Sequence, residues 1–302
     1  MSDTIFIKDN QTTNPYFADL TEMPRQEAGK LLRQSGLIDQ GRIDLQKACE
    51  YEALPLRFLH IEEENCAARL VQTAGDWFLE VNNDGSGEDN FSTDATTRRR
   101  QRFSIAHELG HHKFKSHCDR ELQQALLSGH NPHAHSYLRQ REVQANEFAT
   151  EMLLPFSILQ KSLKDLDFKN DLFKSIEDLA DRFDTSMIAT VKRVASILDI
   201  PVIAIHFAPD GRSHQVPSYS RDFKAEHFYF SRDGVIPEGS FTAAMYDGKT
   251  PATRGKKVHR DTRVWFPDRR GDNYKTIEWA LNIGRYGILT FLELVENDNY
   301  ST

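Results

Sequence analysis

The sequence predicts an α+β protein in which helices carry the candidate chemistry and short strands fill the last third. Three observations predict this. Two stretches, 98–115 and 137–154, hold histidines and carboxylates in helical register. Residues 68–82 alternate in the manner of a hairpin around Ala74 and Gly75. Beyond Pro201 the pattern changes to short strands and turns.

The chain has 302 residues, 39% of them hydrophobic, which is enough for a real core and allows one large domain or two to three smaller ones. No run of about eighteen apolar residues occurs, so no membrane-spanning helix and no membrane partner are expected. The polar stretch from Met1 to Asn14 lacks the apolar centre of an export signal, and a cytoplasmic location is expected. Cys49, Cys66 and Cys118 are odd in number and far apart, which suits free thiols in a reducing compartment. The formal net charge of -7 weighs against nucleic acid as the main partner.

In chain order, Pro24 to Gln46 reads as a helix with its proline in the first turn. Leu54 to Ile61 is a strand whose proline marks an edge or a start. Ala68–Thr73 and Trp77–Asn82 follow as the hairpin, and 83–90 is a loop by composition. Thr96 or Thr97 would cap the helix from Arg98 to Lys115. The histidine-rich run 130–135 is unsuited to a helix interior, and a second strong helix runs from about Tyr137 to Leu154, stopped by Pro155. Residues 160–199 are helical. Strands are expected at Val202–Phe207, His227–Phe230, Arg263–Phe266, Thr276–Asn282 and Tyr286–Val295, with Gly284 and Gly287 flanking a hairpin turn.

The chemistry centres on His107-Glu108-Leu109-Gly110-His111, an H-E-x-x-H pattern. Helical positions i and i+4 share a face, so both imidazoles reach one ion. Glu108 lies about 100° round from His107, where it meets a water beside the ion instead of the ion itself. Gly110 weakens a helix by roughly 1 kcal/mol relative to alanine, which is tolerable where another segment must come close. An accidental spacing on a surface helix is the bland alternative. A catalytic zinc needs a third protein ligand and one open position. Glu142 on the second helix is the candidate. Asn146, one turn further, can hydrogen-bond the second ring nitrogen of His107 or His111. Ala145 and Ala149 would let the helices pack closely. Glu147 and Glu151 compete with Glu142; Glu147 lies about 140° round from it and needs a different rotation of the helix. His112 points away from the ligand face. His130, His133 and His135 read as a solvated rim in preference to a second metal cluster. Tyr137 and His135 are both candidates for a donor to the transition state.

The block Arg102-Phe-Ser-Ile-Ala-His-Glu-Leu-Gly-His111, followed by Glu142-x-x-Ala-Asn-x-Phe-Ala-x-x-Met-Leu-Leu-Pro155, resembles the ImmA/IrrE family of metallopeptidases. The likeness covers about residues 50 to 199, most closely 50 to 156. It implies a zincin-like domain over 1–158, a helix-turn-helix-like segment over 159–200 and a β-rich domain over 201–302 with a sensory or partner-binding role. It implies ligands His107, His111 and Glu142, a catalytic Glu108, and Zn2+, with Mn2+ or another divalent ion able to take its place. Members of the family cleave helix-turn-helix repressors, so a cytosolic protein of that class is the implied substrate.

Residues 176–183 and 187–198 read as helix, turn, helix with Ser186 as N-cap. DNA binding would ask Thr190, Lys192 and Arg193 to face a groove. The acidity of the chain favours a pair that packs on the protease instead. The alternatives to an enzyme are a DNA-binding regulator with a structural metal and a protein-binding module that keeps the site without using it.

Overall fold

The first helix, α1 (Pro15–Gln34), runs through Pro24 instead of starting at it. An internal proline forfeits one helical hydrogen bond. Ala28, Leu31 and Leu32, all buried, follow it and hold the helix by packing. Gly36, at φ 72, ends that stretch. The helix expected as far as Gln46 is therefore two, the second being α2 (Leu45–Tyr51), capped by Asp44. The computed structural model describes residues 15–38, 41–63, 66–83, 90–114, 132–163, 171–225, 228–230, 233–259, 261–267 and 274–296, with backbone alone for 15–20 and 132–137. The chain is α+β and divides into two compact units, Met1–Ile158 with Phe183–Thr185, and Leu159–Arg182 with Ser186–Thr302.

In the first unit, β1 (Leu56–Leu59), β2 (Ala68–Thr73) and β3 (Asp76–Asn82) form a sheet in the order β1-β3-β2. β1 runs parallel to β3, and β2 pairs with it antiparallel through the expected hairpin. Ala74 and Gly75 both take positive φ, 54 and 97, the geometry of a tight hairpin turn. Helix α3 (Ala95–Lys113) packs on β2 and β3. Its N-cap is Asp94, whose carboxylate accepts the Thr97 N–H, not Thr96 or Thr97. Helix α4 (Pro132–Leu153) packs on α3 and α1. It starts earlier than expected, so 133 and 135 belong to its first turns, with Pro132 in the place where a missing N–H does no harm. The chain passes into the second unit within α5 (Phe156–Ser162), and α6 (Leu172–Phe183), which belongs to that unit up to Arg182, leads back to a turn at Asp184, φ 51, in the first. The Asp184 carboxylate is buried against α3. It accepts Arg98 at 2.9 Å, with Arg42 at 3.1 Å, Arg99 at 3.5 Å and Arg102 at 3.7 Å.

In the second unit, α7 (Met187–Ile197) starts at the N-cap Ser186 and packs on β4 (Val202–Phe207). Thr190 and Arg193 are buried there, and Lys192 donates to Gln215. These are not the open faces that a groove reader needs. β5 (Ser218–Tyr219), β6 (Arg254–His259), β7 (Tyr274–Asn282) and β8 (Ile288–Glu296) complete an antiparallel sheet in the order β5-β4-β8-β7-β6. Short helices α8 (Arg221–Ala225) and α9 (Phe241–Tyr246) pack on β4 and β7. The strands expected at 227–230 and 263–266 are not formed. Phe228–Phe230 is irregular, His227 lies outside the described residues, and Thr262–Val264 is a 3-10 turn. β6 was not legible because Arg254, Lys256 and Lys257 interrupt its apolar alternation, as befits a charged sheet edge. The turn before β8 needs Gly287: a side chain there would put its Cβ 2.0 Å from the Phe207 carbonyl oxygen.

Candidate metal centre

Helices α3 and α4 approach closely because of what they lack. A Cβ on Gly110 would lie 3.1 Å from the Ala145 Cα and 3.3 Å from the Phe148 Cβ. Glycine on one helix and alanine on the other bring the histidines of α3 opposite the carboxylate of α4.

The structure brings His107, His111 and Glu142 together, with one donor atom from each within 4.8 Å of the others. The two Nε2 atoms are 3.0 Å apart, and the Glu142 oxygens lie 3.3 Å from His107 Nε2 and 3.2 Å from His111 Nε2. Donors about 2.1 Å from a tetrahedral ion sit about 3.4 Å from one another. The triangle therefore fits a divalent ion to within a few tenths of an ångström. Its chemistry fits as well, being two imidazoles and a carboxylate, the donor types that zinc accepts.

Asn146 sets the direction of one ring. Its Oδ1 lies 3.0 Å from His107 Nδ1. An amide oxygen only accepts, so Nδ1 carries the proton and Nε2 turns its lone pair into the triangle. Burial, then the His107 ring beside it, pushes His111 well below the usual imidazole range. It stays neutral and able to donate a lone pair at neutral pH. The Glu142 side chain is 57% exposed, so the triangle opens towards solvent.

Glu108 stands aside from the triangle. Burial raises its carboxyl to about 7, against a hydrogen bond from the Leu70 backbone that lowers it, with Glu142 adding a smaller upward push. Leu70 belongs to β2, an outer strand of its sheet.

The other carboxylates of α4 have separate duties. Glu147 pairs with Arg25 of α1 at 2.7 Å, and the buried Glu151 accepts the Phe156 N–H at 2.9 Å. His112 is packed edge-on against Trp77. The side chains of His135 and Tyr137, like those of His117, Cys118, His130 and His133, fall outside the described residues. One residue escaped the sequence reading: Arg141, buried beside Glu142, donates to carbonyls at the end of α3. An arginine in a helix gives no sign of which way it faces, so no signal marked it.

Among known proteins, no curated protein matches the chain. A solved structure described as a Mycobacterium tuberculosis transcriptional regulator matches with a TM-score of 0.58 at 16% identity, covering 95% of this chain and 80% of that one. At that identity the likeness is one of fold. Residues 93–195 match the IrrE N-terminal-like domain of the peptidase M78 family. That span holds both helices of the triangle.

Proposed function

We propose that the chain is a zinc-dependent endopeptidase that cuts a cytosolic protein, with a helix-turn-helix transcriptional repressor as its substrate. The observation that carries the reading is the convergence of His107, His111 and Glu142 at one solvent-open point, with the half-buried Glu108 beside it. His107, His111 and Glu142 would hold the ion. When bound, the ion supplies a Lewis acid that makes water more acidic and polarises a peptide carbonyl. Glu108 takes the proton of the attacking water on its carboxylate and returns it to the nitrogen of the leaving amine. Asn146 keeps the His107 ring turned inward. β2 has an outer edge along which an extended substrate segment can pair. A structural site has no use for a base at an open position and usually has four protein ligands.

The test is incubation of the zinc-loaded protein with repressors encoded near its own gene. The wild type should cleave one of them. Glu108→Gln should cut about 100-fold more slowly or worse while binding zinc as before. Cleavage that survives this change removes the mechanism. Salt-dependent duplex binding without cleavage would favour the DNA-binding regulator, although the burial of Thr190 and Arg193 gives that reading little support.

A further inference from the structure

The residue that precedes Glu142 turns the opposite way. Arg141 is 8% exposed, and its guanidinium donates to the Phe114 carbonyl at 2.9 Å and to the His111 carbonyl at a longer 3.4 Å. Helices end with carbonyls that lack partners within the helix. At the end of α3 the Phe114 N–H closes onto the carbonyls of Gly110 and His112. Arg141 takes the carbonyls of His111 and Phe114 that this leaves over. Among the described residues these two carbonyls are its partners, and no carboxylate is.

We propose that Arg141 is a positioning residue for the metal centre, clamping the turn of α3 that bears His111 to the turn of α4 that bears Glu142. The proposal rests on the metal reading above. Two neighbouring residues of α4 then share the work. Glu142 meets the His111 ring at 3.2 Å, while Arg141 fixes the backbone that carries that ring. The planar fork of arginine suits this because it reaches both carbonyls at once.

Charge and geometry predict opposite signs, which makes the proposal testable. A cation beside His111 opposes the arrival of a second cation, so charge alone predicts tighter zinc binding once Arg141 is removed. A clamp predicts weaker binding. The experiment measures zinc affinity of the metal-stripped full chain against a chromophoric chelator, for wild type, Arg141→Met and Arg141→Lys. Circular dichroism puts each on the same folded fraction. Both variants should bind zinc about tenfold more weakly or worse, as for other residues that orient ligands. The lysine variant keeps the charge and most of the stem, and it decides the matter if the methionine variant does not fold. Zinc binding that is unchanged or tighter in folded variants overturns the clamp, because a residue needed for stability alone would lower the unfolding temperature without touching affinity. A wild type that binds no zinc would sink the metal reading itself. Wild-type binding matched by both variants would sink only the role of Arg141.

Discussion

Each unit of the molecule contains a histidine–carboxylate cluster, and the two are built for opposite ends. In the first, His107, His111 and Glu142 point at one another across 3.0–3.3 Å with acceptor atoms inward and a side open to water. In the second, Glu278 is fully buried on β7. It accepts His259 Nε2, the Thr242 hydroxyl at 2.6 Å, the backbone N–H groups of Thr242 at 2.6 Å and Phe241 at 3.0 Å, and Trp265 Nε1 at 3.2 Å. The Thr290 hydroxyl, 2.8 Å from that of Thr242, completes the network. One cluster gathers three donor atoms that could hold a cation. The other has a carboxylate already saturated with donors. The same residue types thus give an open cluster or a saturated structural joint according to which partners the fold has supplied.

The comparison breaks if either cluster behaves like the other. The largest effect is expected from Glu142→Ala. Loss of one of three ligands should weaken zinc binding by more than the ~10- to 100-fold that an orienting partner is worth, read by chelator competition, with no change in the unfolding of the second unit. Glu278→Gln should do the reverse. It leaves donors facing an amide and should destabilise the second unit by about 3 kcal/mol or more, with zinc affinity unchanged. Urea unfolding followed by tryptophan fluorescence measures it, since Trp265 and Trp279 both belong to this unit. A smaller effect, about tenfold on zinc affinity, is expected from Asn146→Ala, which frees the His107 ring to rotate.

How much of this was legible depended on whether a residue's meaning is local. The i, i+4 spacing of His107 and His111 fixes their shared face from the sequence alone. Gly110 and Ala145 announced a close helix crossing, because small residues are the only local trace such a crossing leaves. Glu147 and Glu151 could not be separated from Glu142 without the partners Arg25 and the Phe156 N–H, one of them 122 residues away in sequence. The cap of α3 was misplaced by two or three residues, since Asp94, Thr96 and Thr97 are all competent caps and tertiary packing chooses among them. Glu278 gave no sign at all. Its alternation with Trp279 and Ile277 fits a strand with a solvated face, and only the arrival of α9 and His259 makes that face an interior.

The smallest effect sharpens the contrast most, because it asks whether Glu278 is ionised. Burial pushes its carboxyl up, but the hydrogen bonds from His259, Thr242 and the backbone outweigh this and hold it below its ordinary value of 4.5. A carboxyl depressed by folding contributes stability above the unfolded value, and that contribution is lost as pH falls through the lower folded value. The wild type and Glu278→Gln should therefore differ most in stability above about pH 4.5. The gap should narrow as acid protonates the wild-type carboxyl and makes it resemble the amide. Taking the difference between the two proteins cancels the titrating groups remote from Glu278, Asp184 with its arginines included. A gap that widens in favour of the wild type as pH falls would mean that Glu278 is folded in its neutral form, and the second cluster would then be a network of neutral hydrogen bonds instead of a buried charge.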